Sequence, residues 1–241
     1  GCACCPPNIA RIVESIQQYA TTVSDDSSTL YTHLYVGGEA TVELGGRDVT
    51  LVMDANLPWQ GDGRAVVRIA DKSDMPANAV TTATLAFRLP AWAGGEAAAD
   101  AIRVEGAAGS RLSREVRDGY LYLTGEWRDG DTVTFDFPMP VRMLAANPNV
   151  REDAGKVAFM RGPVTYCAEG IDNGAALHLL HVDAAAVAAD PDAVRIERTG
   201  FHAGAEGLDE RGTGEVESVE RDIVRLTVPG WRESGDVRRV T

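Results

Sequence analysis

Apolar residues in the first part of the chain recur every three or four positions. Ile9, Ile12, Val13, Ile16 and Ala20 form one stripe, with Glu14, Gln17 and Gln18 on the other side. That spacing predicts an amphipathic helix over residues 6–20. Pro6 and Pro7 suit its start, because the amide hydrogen proline lacks would have no helical partner there. The pattern fades at Thr21, Thr22 and Val23, and Ser24-Asp25-Asp26-Ser27-Ser28 reads as a turn. Beyond it the period becomes two. Residues 30–36, 40–44, 49–53, 65–69, 82–89, 102–104, 120–123 and 132–137 are rich in strand formers, separated by turns such as Gly37-Gly38 and Gly45-Gly46. Short strands between glycine-rich turns predict an antiparallel sandwich. Pro138, Pro140 and Pro148 flank a break. Strand patterns resume at 156–160, 164–169, 177–182, 194–196 and 223–228, and the acidic, glycine-rich stretch 204–220 reads as a long loop. The expected fold is mainly β: an N-terminal amphipathic helix followed by antiparallel β-sandwich units. Its parts are residues 1–23, 24–142 and 143–241, the last expected to be an incomplete second sandwich.

Composition adds exclusions. Of 241 residues, 44% are hydrophobic and 24% charged, enough apolar surface to build a core without staples. The formal net charge of −13 argues against nucleic acid or an anionic membrane surface as a partner, since both need a basic footprint. No stretch has the apolar length of a membrane span, and no secretory signal pattern opens the chain. Gly1 is not an initiator, and both ends read as cuts in a longer protein.

Cysteine placement carries the chemistry. Three of four cysteines, Cys2, Cys4 and Cys5, lie in the first five residues, and Cys167 is remote. A cluster of this kind reads as metal-binding or catalytic in a reducing compartment. Cys4 and Cys5 precede a helix N-terminus, whose dipole and free amides favour a thiolate. A thiolate can ligate zinc or act as a nucleophile. The crowding departs from paired Cys-x-x-Cys zinc spacing, and His33, His178, His181 and His202 stand at no motif distance from the cluster. His178 and His181 read as surface histidines rather than a metal pair.

Cys-x-Cys-Cys-Pro-Pro-Asn followed by Ala10-Arg11 resembles the cysteine-dependent β-L-arabinofuranosidases of glycoside hydrolase family 127. Gly130-Asp131-Thr132-Val133 leading to Phe137-Pro138-Met139-Pro140-Val141-Arg142 is similar to the same family, as is the run from Gly155-Lys156-Val157 through Arg161-Gly162-Pro163 to Tyr166-Cys167-Ala168-Glu169. The order is right, and the resemblance covers residues 1–175 or so; it weakens beyond. It implies an (α/α)6 barrel followed by β-sandwich domains, with residues 1–23 as the end of the barrel. It implies a retaining glycosidase that releases terminal β-L-arabinofuranosyl residues through a zinc-held cysteine nucleophile. By motif position Cys4 is the nucleophile and a zinc ligand, and Cys5 a second zinc ligand; Cys2 has no assigned role. The remaining zinc ligands and the acid/base Glu are expected upstream of residue 1, so the chain alone is expected to be inactive and to bind zinc weakly or not at all.

Other readings stand beside this one. Cys167, in a strand pattern, reads as a buried thiol. Trp59, Trp92, Trp127 and Trp231 could stack sugars, but packing at sandwich edges is the ordinary reading. Arg161 is expected to pair with a carboxylate at a turn. A non-catalytic sandwich or carbohydrate-binding module is the main alternative function, and a thiol redox or metal-handling protein the third. The expected partners are an arabinose-containing oligosaccharide or glycoconjugate, the barrel domain and a second copy of the chain. The expected location is cytoplasmic.

Overall fold

A computed structural model describes residues 4–70, 80–203 and 219–233. Cys2, most of the expected loop at 204–220 and the terminal residues 234–241 lie outside them. Two compact units divide at Met139 and Pro140.

The first unit opens with α1 (Cys5–Ala20) and passes straight into β1 (Thr21–Val23), Thr21 being both the helix C-cap and the first strand residue. The helix forms where the stripe predicts it, yet only Ala20 is buried, and Ile9, Ile12, Val13 and Tyr19 are exposed. Two five-stranded sheets follow. One has the order β1, β2 (Thr29–Thr32), β6 (Val80–Arg88), β9 (Tyr120–Arg128), β8 (Leu112–Arg117). The other runs β3 (Gly38–Leu44), β4 (Arg47–Ala55), β5 (Asp62–Ala70), β10 (Thr132–Asp136), β7 (Ile102–Val104). Pairing is antiparallel except between β2 and β6, which run parallel with Leu30 opposite Leu85. The turn between β1 and β2 is held by Asp26, whose carboxylate accepts from the Ser24 and Ser28 hydroxyls and the Ser28 amide. These bonds lower its pKa, the Ser24 hydroxyl most.

The period-two pattern decides which side chains meet. Val49, Leu51 and Met53 of β4 are buried on alternate positions, as are Ala65, Val67 and Ile69 of β5. They face Leu30, Leu85, Phe87, Leu121 and Leu123 in one continuous core. Each of the Val, Leu, Ile, Met and Phe side chains so removed from water contributes about 1.5–3 kcal/mol. Tyr35, Phe135 and Phe137 extend this core as an aromatic group, ring centroids 4.7–5.5 Å apart. Trp127 is buried, and Trp92 packs edge-on against Phe137. Burial holds the Tyr35 phenol far above its ordinary pKa, and its hydroxyl donates to the Arg88 carbonyl.

The Gly130-Asp131 motif is structural. Arg111 Nη2 donates to both Asp131 oxygens at 2.9 and 2.8 Å, and the Arg128 amide donates to Oδ2 at 2.8 Å. The turn is also laced to β5, because the Gly130 amide donates to the Val67 carbonyl and the Val67 amide to the Asp131 carbonyl.

The second unit is built from smaller sheets. β11 (Val141–Ala145), β12 (Val157–Arg161) and β13 (Val164–Tyr166) form a three-stranded meander. β14 (Leu180–Val182) pairs with β17 (Gly230–Arg232), and β15 (Arg195–Ala203) with β16 (Val219–Thr227). Phe159, Val187 and Val194 form its small core. The second and third family-like motifs meet here, since Arg142 of β11 lies opposite Met160 of β12 and donates to the Gly162 carbonyl. Arg161 lies near the Tyr166 phenol: burial raises the phenol's pKa, and the Arg161 charge opposes that rise.

Two expectations need correction. Cys167 is exposed, not buried, because β13 ends at Tyr166 and the chain leaves the sheet there. Trp231 is not packed at an edge: it stands 56% exposed on β17.

Candidate functional site

The thiols sit where α1 begins. Cys4 is the N-cap residue, with helical backbone angles and no side-chain cap bond, and Cys5 is the first helical residue. Adjacent residues ordinarily diverge, but the turn of the backbone into the helix brings Cys4 Sγ and Cys5 Sγ to 3.8 Å, both exposed. One turn on, Arg11 Nη1 donates to Asn8 Oδ1 at 2.7 Å, and the Ser15 hydroxyl donates to the Arg11 carbonyl at 2.8 Å. The Asn and Arg of the first motif therefore hold each other.

The electrostatics differ from the expectation of a helix end rich in free amides. Pro6 and Pro7 have no amide hydrogen, and the Asn8 amide already donates to the Cys4 carbonyl at 3.2 Å. Few backbone donors remain to hold a thiolate, so a cation is the stronger candidate for that task.

The donor pair fits zinc. Two sulfurs at a Zn–S distance of about 2.3 Å and a tetrahedral angle stand about 3.8 Å apart. Among the described residues no third His, Cys, Asp or Glu joins them in a group able to hold a metal. Cys2, the other thiol of the cluster, lies outside the described residues. The four histidines are placed elsewhere in the chain. The His33 ring is hydrogen-bonded to the Thr22 and Tyr120 hydroxyls, and His178 is exposed in a short turn. His181 Nε2 lies 3.2 Å from Glu233 Oε1.

Sequence reasoning did not single out the set formed by His181, Trp231 and Glu233. The His181 and Trp231 rings stack at 5.4 Å and 9°. The Pro229-Gly230 pair before Trp231 is a local turn signal that could have drawn attention to this stretch, but nothing in the local pattern tells which residue Trp231 would face.

Comparison with known proteins adds the following. Residues 29–139 match the family described as "Beta-L-arabinofuranosidase, GH127 middle domain", and residues 141–227 match "Glycoside hydrolase family 127 C-terminal domain". The non-reducing end β-L-arabinofuranosidase of Bifidobacterium longum subsp. longum is 35% identical over 176 residues, which is 72% of this chain and 24% of that protein. The crystal structure of a GH127 β-L-arabinofuranosidase from Geobacillus stearothermophilus T6 is 29% identical with a TM-score of 0.63; the match covers 95% of this chain and 35% of that one. A second GH127 β-arabinofuranosidase structure is 26% identical with a TM-score of 0.61, over 95% of this chain and 36% of that one. The chain thus spans about a quarter of the length of the curated relative it matches.

Proposed function

Because the chain belongs to glycoside hydrolase family 127, we propose that it is part of a retaining hydrolase that releases terminal β-L-arabinofuranosyl residues with Cys4 as its nucleophile. The observation that carries this reading is the pair of exposed sulfurs, 3.8 Å apart, on the first turn of α1. The relatives named as β-L-arabinofuranosidases support the substrate class, an arabinose-containing oligosaccharide or glycoconjugate.

In the first step Cys4 Sγ attacks the anomeric carbon. A C–S bond forms as the glycosidic C–O bond breaks, and an acid on the far side of that bond gives its proton to the departing oxygen. In the second step water attacks the same carbon, its proton passes to the group that acted as acid, and Cys4 leaves as thiolate. Two inversions give net retention. Cys4 and Cys5 are the described residues that would hold zinc, and the bound ion would supply the positive charge that keeps the thiols deprotonated. The resemblance assigns the acid/base and the remaining ligands to a helical barrel. The exposed Ile9, Ile12 and Val13 of α1 support that assignment, since such a stripe is built to be covered.

The test is Cys4→Ser in the complete enzyme with an aryl β-L-arabinofuranoside. A loss of about 10³-fold or more in kcat is expected for removal of a nucleophile. Unchanged turnover would assign the chain an accessory role instead.

A further inference from the structure

Trp231 is 56% exposed, an unusual position for the largest apolar side chain. It is nevertheless fixed. His181 is its cross-strand partner in the β14–β17 pair and covers one face of the indole in a stack of 5.4 Å. His181 Nε2 meets Glu233 Oε1 at 3.2 Å, which brings the carboxylate to the same side of β17 as the indole. The intervening residue, Arg232, locks the strand from the other side: its guanidinium donates to the carbonyls of Asn173, Ala175 and Ala176. The Glu233 amide donates to the Leu179 carbonyl and secures the end of the strand.

We infer that Trp231, backed by His181 and flanked by Glu233, is a binding platform for a neutral sugar ring. A furanose or pyranose presents a face of C–H groups, which carry slight positive charge and suit the negative face of an indole. Its hydroxyls lie at the ring edge, where the half-exposed Glu233 carboxylate can accept from them. A carboxylate next to the ring, in a chain of net charge −13, disfavours anionic sugars. One indole is about the width of a single sugar ring, so the platform matches one residue of a glycan. The choice of arabinofuranose as the sugar rests on the proposed function.

The test is titration of the ¹⁵N-labelled 241-residue chain with methyl β-L-arabinofuranoside and with a β-L-arabinofuranosyl disaccharide, following the tryptophan indole signals. The Trp231 signal, assigned by its absence in Trp231→Ala, is expected to shift saturably in the millimolar range. Glu233→Gln is expected to weaken binding by about threefold to tenfold while the other indole signals stay in place, showing an intact fold. A Trp231 signal that does not respond to either sugar overturns the proposal. So does a Trp231 signal that moves with protein concentration alone, which would make the indole a self-association surface. Binding that survives Cys4→Ser, beside hydrolysis that does not depend on Cys4 in the complete enzyme, would leave the platform standing and remove the proposed nucleophile.

Discussion

His33 Nδ1 and the Tyr120 hydroxyl are hydrogen-bonded at 2.7 Å, across 87 residues of sequence. The other ring nitrogen is hydrogen-bonded to Thr22 Oγ1, also at 2.7 Å, so one imidazole ties β1 to the start of β9. Tyr31 stacks on the same ring at 6.0 Å. Burial first, and Arg88 second, hold the His33 pKa below its ordinary 6.5.

That direction fixes a pH dependence. The unfolded chain takes up the His33 proton first as pH falls, so the folded state loses stability from about 6.5 downward until the lowered folded value is passed. Thermal melts should show His33→Gln with a flatter profile than the parent between about pH 7 and pH 5. Parallel profiles for the two proteins would show that His33 does not carry the effect.

Asp131→Ala should destabilise the first unit by about 2–3 kcal/mol, because it leaves the Arg111 guanidinium and the Arg128 amide without their shared acceptor. Denaturant unfolding measures this. Asp131→Asn, which keeps one acceptor oxygen, should cost less.

At Gly61 a methyl group would come within 1.9 Å of the Phe137 carbonyl oxygen, where the Phe137 amide donates to the Gly61 carbonyl at 2.9 Å. Backbone cannot give way as a side chain can. Gly61→Ala should therefore lower stability by about 1–3 kcal/mol in the same unfolding assay, whereas Gly46→Ala meets no neighbour within 4 Å and is strained only through its positive φ.

The 241-residue chain alone should bind zinc through Cys4 and Cys5 with roughly half the free energy of a four-ligand site, about 5–8 kcal/mol, or micromolar affinity at best. Competition with a chromogenic chelator reads this directly. Either cysteine changed to serine should abolish it, and nanomolar binding would mean that further ligands come from this chain.

Much of this was legible in the residues. The three-and-four stripe of α1 and the alternation of β4 and β5 are local signals, and both elements form where they were read. β8 was not read, because its sequence, Leu-Ser-Arg-Glu-Val-Arg, sits exposed at a sheet edge and has no buried face to reveal it. The parallel pairing of β2 with β6 was also hidden, since it depends on where two distant stretches settle, not on their own patterns. Cys167 misled because Val164-Thr165-Tyr166-Cys167 looks like one strand while the pairing stops at Tyr166. The thiol pair was visible by proximity in sequence. The missing amide hydrogens of Pro6 and Pro7 are legible there too; their consequence for the thiols follows once the Asn8 amide donates to the Cys4 carbonyl.

The absence of any residue between α1 and β1 has an evolutionary consequence. The helix is a rod of about 24 Å, with the thiols at one end and the sandwich at the other. A hinge of even a few residues would let the sulfurs swing, and here there is none. This sandwich could not be recombined like a module on a tether without carrying the thiols' orientation with it. Insertion of two glycines between Ala20 and Thr21 would separate the two inheritances: the sheets should keep their stability while the sulfurs lose their aim.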